Sequence, residues 1–137
     1  MTLEERVAAL EALAERHVSR EVQTTRLILT DENGKAHAQL YVSKSKKGPS
    51  LCLFDERGKT RTQIFVSKSG PALYLGDEKG NPRAVLGLSK DGPLLTLNDA
   101  NGKPRAQIIV NENGPALSLT DEAGKPIAQL LITEHGP

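Results

Sequence analysis

The sequence predicts an all-β repeat protein of five 22-residue β-hairpins preceded by a short α-helix. Three observations carry this expectation. An Asp recurs at Asp31, Asp55, Asp77, Asp99 and Asp121, each followed three residues later by Gly34, Gly58, Gly80, Gly102 or Gly124. A Gly-Pro pair recurs at 48–49, 70–71, 92–93, 114–115 and 136–137. Between these punctuation marks apolar residues alternate strictly, as in Leu95, Leu97, Ala106, Ile108 and Val110, which is the periodicity of strands with one apolar face.

Residues 1–20 form the first segment. Thr2-Leu3-Glu4-Glu5 has the Thr-x-x-Glu spacing of a capping box, in which two side chains satisfy free N–H groups of the first turn. Leu3, Val7, Leu10, Ala14 and His17 then recur at spacings of four and three, a narrow seam that suits a short coiled coil. The alternative is a helix that caps the edge of the β region. A helix of this length is marginal alone, so either reading requires a partner surface. Residues 18–25 lose the pattern and connect the helix to the repeats.

Residues 21–137 form the repeat region, with units at about 26–49, 50–71, 72–93, 94–115 and 116–137. Because 22 is even, residues of one parity share a face in every copy. Leu51, Leu53, Ile64, Val66, Leu73, Leu75, Leu95, Leu97, Ile108 and Val110 fall on that face, interspersed with the smaller Ala38, Thr62, Ala84, Ala106 and Ala128. Asp-x-x-Gly reads as a tight turn, since the carboxylate accepts from N–H groups just ahead of it and Gly tolerates positive φ. The return connection, Ser-Lys-x-Gly-Pro, places proline at a strand start, where its missing donor does least harm. The first interval is two residues longer, and the excess falls in Ser43-Lys44-Ser45-Lys46-Lys47.

A lone hairpin is not stable in water, so the units must share an apolar interior. About ten short strands can do this as a barrel, as a single-chain solenoid or sandwich, or as three chains packed about a common axis. A ten-stranded barrel encloses more space than Leu, Val, Ile and Ala fill. A homotrimeric β-prism or fibre has a thin core that they do fill, and a coiled coil at residues 1–20 would align its chains. The pattern is similar to the shafts of trimeric phage and viral fibres, in which short β-repeats with Gly and Pro turns wind about a threefold axis. That resemblance implies a threefold assembly, and no motif carries a function over from it.

Composition narrows the function classes. Lys and Arg number 18 against 17 Asp and Glu, and aromatics are 3% of the 137 residues, which gives neither a phosphate-attracting surface nor a base-stacking platform. No apolar run is long enough to span a membrane, and Met1–Glu5 lacks the features of a secretion signal, so a cytoplasmic location is the default expectation. The paired acids at Asp31, Asp55, Asp77 and Asp121 recur at one turn, whereas catalysis needs a single convergent constellation. His17, His37, His135 and Cys52 lack the spacing of a metal or nucleophile site. No catalytic residue, cofactor or metal is therefore assigned.

Two rows bear on binding. Arg61, Arg83 and Arg105 occupy one slot of the unit, which His37 takes in the first, and they either pair with neighbouring acids or face an anionic polymer. Tyr41, Phe54, Phe65 and Tyr74 are all the aromatics, and they share the parity opposite the leucines, which predicts an outward apolar patch. The expected function is a non-enzymatic, self-associating stalk or spacer. The alternative is a repeat-based module that binds a polysaccharide or protein partner through those aromatics and the arginine row.

Overall fold

A computed structural model describes residues 1–16, 22–44 and 48–132, with the backbone alone for 13–16. Helix α1 spans Leu3–Arg16. Its capping box is formed: Thr2 N donates to Glu5 Oε2 at 2.6 Å and Glu5 N donates to Thr2 Oγ1 at 3.2 Å. His17 and the remainder of the segment to residue 20 lie outside the described residues, as do 45–47 of the enlarged loop and His135. Among the described residues α1 touches none of the strands, so a helix capping the sheet edge has no contact to support it. Leu3, Val7 and Leu10 are accordingly exposed.

Ten strands follow: β1 (Arg26–Thr30), β2 (Ala36–Ser43), β3 (Gly48–Phe54), β4 (Thr60–Ser67), β5 (Gly70–Gly76), β6 (Pro82–Ser89), β7 (Gly92–Asn98), β8 (Pro104–Asn111), β9 (Gly114–Thr120) and β10 (Pro126–Leu131). They form one antiparallel meander in sequence order. β1 and β10 are its two rims, so the sheet does not close into a barrel. Strands contact only their sequence neighbours, so it does not fold over into a sandwich either. The hairpins share one sheet, and among the described residues no second layer covers it.

Each Asp hairpin is built the same way. In the second, Gly58 N donates to the Asp55 carbonyl at 2.9 Å and Asp55 N to the Lys59 carbonyl at 2.9 Å. Asp55 Oδ1 accepts from the N–H groups of Arg57 and Lys59, both at 2.9 Å. Gly58 has φ 75°, and the register slips between Leu53 and Phe54. This is a turn followed by a glycine bulge, one of the common solutions for joining antiparallel strands.

The Gly-Pro return needs its glycine for another reason. Gly70, Gly92 and Gly114 have φ of 121°, 122° and 104°. A side chain on any of them would collide with a backbone carbonyl of the following strand or its extension. Pro71 pairs with Val66 in β4 but has no partner in the β5–β6 register, so its absent N–H falls where that ladder has ended.

Register places residues in rows that cross all ten strands. The central row of one face runs Leu27, Leu40, Leu51, Ile64, Leu73, Leu86, Leu95, Ile108, Leu117 and Leu130. Beside it Leu29, Leu53, Leu75, Leu97 and Leu119 alternate with Ala38, Thr62, Ala84, Ala106 and Ala128. On the other side Val42, Val66, Leu88 and Val110 alternate with Pro49, Pro71, Pro93 and Pro115. The opposite face is mixed, with a row of Ile28, Gln39, Cys52, Gln63, Tyr74, Val85, Thr96, Gln107, Ser118 and Gln129.

Candidate functional site

The aliphatic face is the largest chemical feature of the chain. Leu40, Ile64, Leu86 and Ile108 of its central row leave 49, 50, 52 and 48% of their surface open. Flanking neighbours cover their sides, and no other described element packs over their tips. Nine strand spacings of ~4.8 Å and a strand length of ~17 Å give this face an area of roughly 700 Å². A continuous apolar surface that large exceeds what an isolated protein ordinarily displays. Leu51, Leu53, Ile64, Val66, Leu73, Leu75, Leu95, Leu97, Ile108 and Val110 all lie on it, as their parity predicts.

The aromatics require a correction. Tyr41, Phe65 and Tyr74 do share the face opposite the leucines, but that face is the better buried of the two at its centre. Phe65 is 7% exposed and Cys52 5%. Phe65 sits in a row between Ser50 and Ala72, whose small side chains let the ring lie over them. Tyr74 meets it edge-on, with ring centroids 5.0 Å apart, a favourable geometry for two aromatic quadrupoles. Ser50 lies between Tyr41 and Phe65 and is 1% exposed, and it accepts from Gln63 Nε2 at 2.8 Å. Phe54 stands apart at the bulge, opposite Thr60 and half-buried. Alternation in sequence separates the faces correctly but does not say which one a chain covers with its own side chains.

The arginine row is engaged within the turns. Arg61 Nε donates to the Gly76 carbonyl at 3.0 Å, Arg83 Nε to Asn98 at 2.9 Å and Arg105 Nε to Thr120 at 2.9 Å. Their guanidinium groups also face Asp55, Asp77 and Asp99 Oδ2 at 3.5, 3.8 and 3.6 Å. His37 takes the same place in the first unit, with Nε2 3.1 Å from Asp31 Oδ2. In the first four turns the carboxylate thus uses Oδ1 for its own backbone and Oδ2 for the His37 or arginine side chain of its hairpin. The Asp121 turn has Ile127 in that slot and keeps the Oδ1 contacts. Each arginine in turn reaches the residue just before the next turn. Lys35 and Lys103 Nζ add donations to the carbonyls of Glu56 and Glu122, also one turn further on.

These contacts hold the carboxyls of Asp31, Asp55, Asp77 and Asp99 below the ordinary aspartate range. For Asp31 the largest cause is the His37 hydrogen bond, followed by the Lys35 N–H. For Asp55, Asp77 and Asp99 it is the backbone N–H of Lys59, Asn81 and Lys103 respectively, with the arginine adding less. Donation to the ionised form favours it, which is a structural use of the charge. Among the described residues no three His, Cys, Asp or Glu converge as a metal centre requires. No described helix is long and apolar enough to cross a membrane.

No protein-family model matches the sequence, and no curated protein matches it significantly. The functional reading therefore rests on the molecule itself.

Proposed function

We propose that this chain is a non-enzymatic structural protein, a stalk or spacer in which three copies pack their aliphatic faces about a common axis. The observation that carries the reading is the central row of ten Leu and Ile residues, unbroken by any polar side chain, in which Leu40, Ile64, Leu86 and Ile108 are half open in the single chain. Roughly 700 Å² per chain is close to the ~800 Å² each partner contributes to a stable interface.

The distribution of bulk across that face favours three chains over two. A triangular prism with sides of ~17 Å, one strand length, has faces ~5 Å from its axis, about half the ~10 Å that separates packed sheets. Residues in the middle of each side then reach the axis, while those near the corners meet a neighbouring sheet at once. Large side chains belong in the middle and smaller ones at the flanks. The central row is all Leu and Ile, whereas the flanking rows alternate with Ala, Thr or Pro. A flat two-sheet sandwich has equal depth across its width and asks for no such gradation.

The helix fits the same scheme. Leu3, Val7 and Leu10 form an exposed seam on α1, and in a short coiled coil they and Ala14 would set the chains in parallel. A structural role also accords with the carboxylates of Asp31, Asp55, Asp77 and Asp99, whose oxygens are engaged within their own hairpins.

Sedimentation equilibrium on the full chain tests the proposal. The expected mass is a whole multiple of three 14.8 kDa chains, independent of concentration. Replacing Ile64 and Leu95 by Asn in the central row is expected to separate the chains. A stable monomer, or an assembly indifferent to that double substitution, would overturn it.

A further inference from the structure

The two rims of the sheet are not alike, and the difference lies in their backbones. In an antiparallel ladder alternate residues direct both N–H and C=O to one neighbour. Val42 N donates to the Thr25 carbonyl at 3.3 Å, so Thr25, Leu27 and Leu29 turn towards β2 and Arg26 and Ile28 face outwards. The Thr24 hydroxyl then folds back over the rim. It donates to the Arg26 carbonyl at 2.9 Å and accepts from Arg26 N at 3.3 Å. Half of the outward groups on β1 are thereby occupied within the chain, and the Arg26 side chain adds charge, a common protection of sheet edges.

β10 has neither device. Ile132 N donates to the Pro115 carbonyl at 3.2 Å, so residues 128, 130 and 132 face β9 and Gln129 and Leu131 point their backbones outwards. Among the described residues no side chain caps those groups. The strand from Ala128 to Ile132 is exposed and carries no charge.

We propose that β10 pairs antiparallel with β10 of a second copy of this chain, joining two assemblies end to end. Parity makes the rim self-complementary. Hydrogen-bonded pairing matches odd residues with odd ones, so Leu130 lies opposite Leu130 of the second copy, Ala128 opposite Ile132, and Gln129 opposite Leu131. The aliphatic faces then continue without a step across the junction, and the mixed faces do likewise. A junction between β10 and β1 is disfavoured because Thr24 already occupies Arg26. This pairing uses the rim rather than the face, so it does not rest on threefold packing.

A cysteine at position 130 reports the junction directly. Leu130 is a non-hydrogen-bonded pair on the outer side, where facing Cα atoms stand ~4.5 Å apart, within disulfide range. The full chain carrying Leu130→Cys in the Ile64→Asn, Leu95→Asn background, where face packing no longer brings position 130 of neighbouring chains together at the axis, is expected to run as a covalent dimer on non-reducing gels after oxidation with glutathione disulfide. The unsubstituted chain, whose only cysteine is the buried Cys52, is expected to remain uncrosslinked. Adding Leu131→Pro removes an outward donor and no hydrogen bond to β9, and it is expected to abolish the cross-link and halve the solution mass of the native assembly. Gln129→Pro acts on the same edge should Leu131→Pro lose its β circular dichroism. Absence of the Leu130→Cys dimer, or its persistence in a folded proline variant, would overturn the proposal. The Ile64 and Leu95 double variant keeps the β10 rim, so its cross-linking separates failure of the end junction from failure of the face packing.

Discussion

The carbonyl oxygen of Leu88 occupies the place where the first side-chain carbon of Gly70 would stand. The same relationship joins Gly92 to Val110 and Gly114 to Ile132, so the Gly-Pro return is a close backbone approach repeated along the sheet. At Gly58, by contrast, the added carbon would meet nothing within 4 Å, and only the φ of 75° resists it.

The two glycine classes should therefore respond differently to alanine. Gly58→Ala is expected to cost about 1 kcal/mol, the left-handed penalty alone. Gly70→Ala combines strained φ with a backbone collision and should cost about 3 kcal/mol or more. Urea midpoints of the two variants, measured at one protein concentration, decide the ordering.

The turn carboxylates set the response to acid. Asp31, Asp55, Asp77 and Asp99 have folded-state values below the ~3.9 of an unfolded aspartate. A depressed carboxyl contributes stability that is fully present above the unfolded value and is lost as pH falls through the folded one. The urea midpoint should hence be level from pH 7 to about 5 and fall below about 4. Asp77→Ala should lower the midpoint at neutral pH and make the acid limb shallower, and a pH series of urea titrations reads both.

Phe65 is covered by its own chain. Its 7% exposure and its contact with Tyr74 place it in the best-covered part of the sheet. Phe65→Ala should cost about 3 kcal/mol, at the lower end for a buried aromatic because only one layer surrounds it. A variant as stable as the parent, but defective in capturing some partner, would return Phe65 to the role of a surface anchor. Thermal melts of the variant make the comparison.

Most of the architecture was legible because the period is even and the turns carry their own chemistry. Asp55 and Gly58 announce a bulged hairpin through spacing alone, and the parity of Leu51, Ile64 and Leu73 fixes one shared face. What alternation could not convey is which face the chain covers. Phe65 is buried because Ser50 and Ala72, on strands to either side, are small, and that neighbourhood exists only once the register is known. The rims were opaque for a related reason. Thr24 protects Arg26 through a hydroxyl two residues away, in a stretch that carries no repeat signal.

Contacts that run only between consecutive strands also make the molecule's length adjustable. Excising or duplicating one 22-residue unit removes or adds two strands and leaves every other neighbour relationship as it was. The molecule would shorten or grow by about 10 Å each time. Reach can thus be tuned by duplication alone, like adding rungs to a ladder, while the cross-section stays constant.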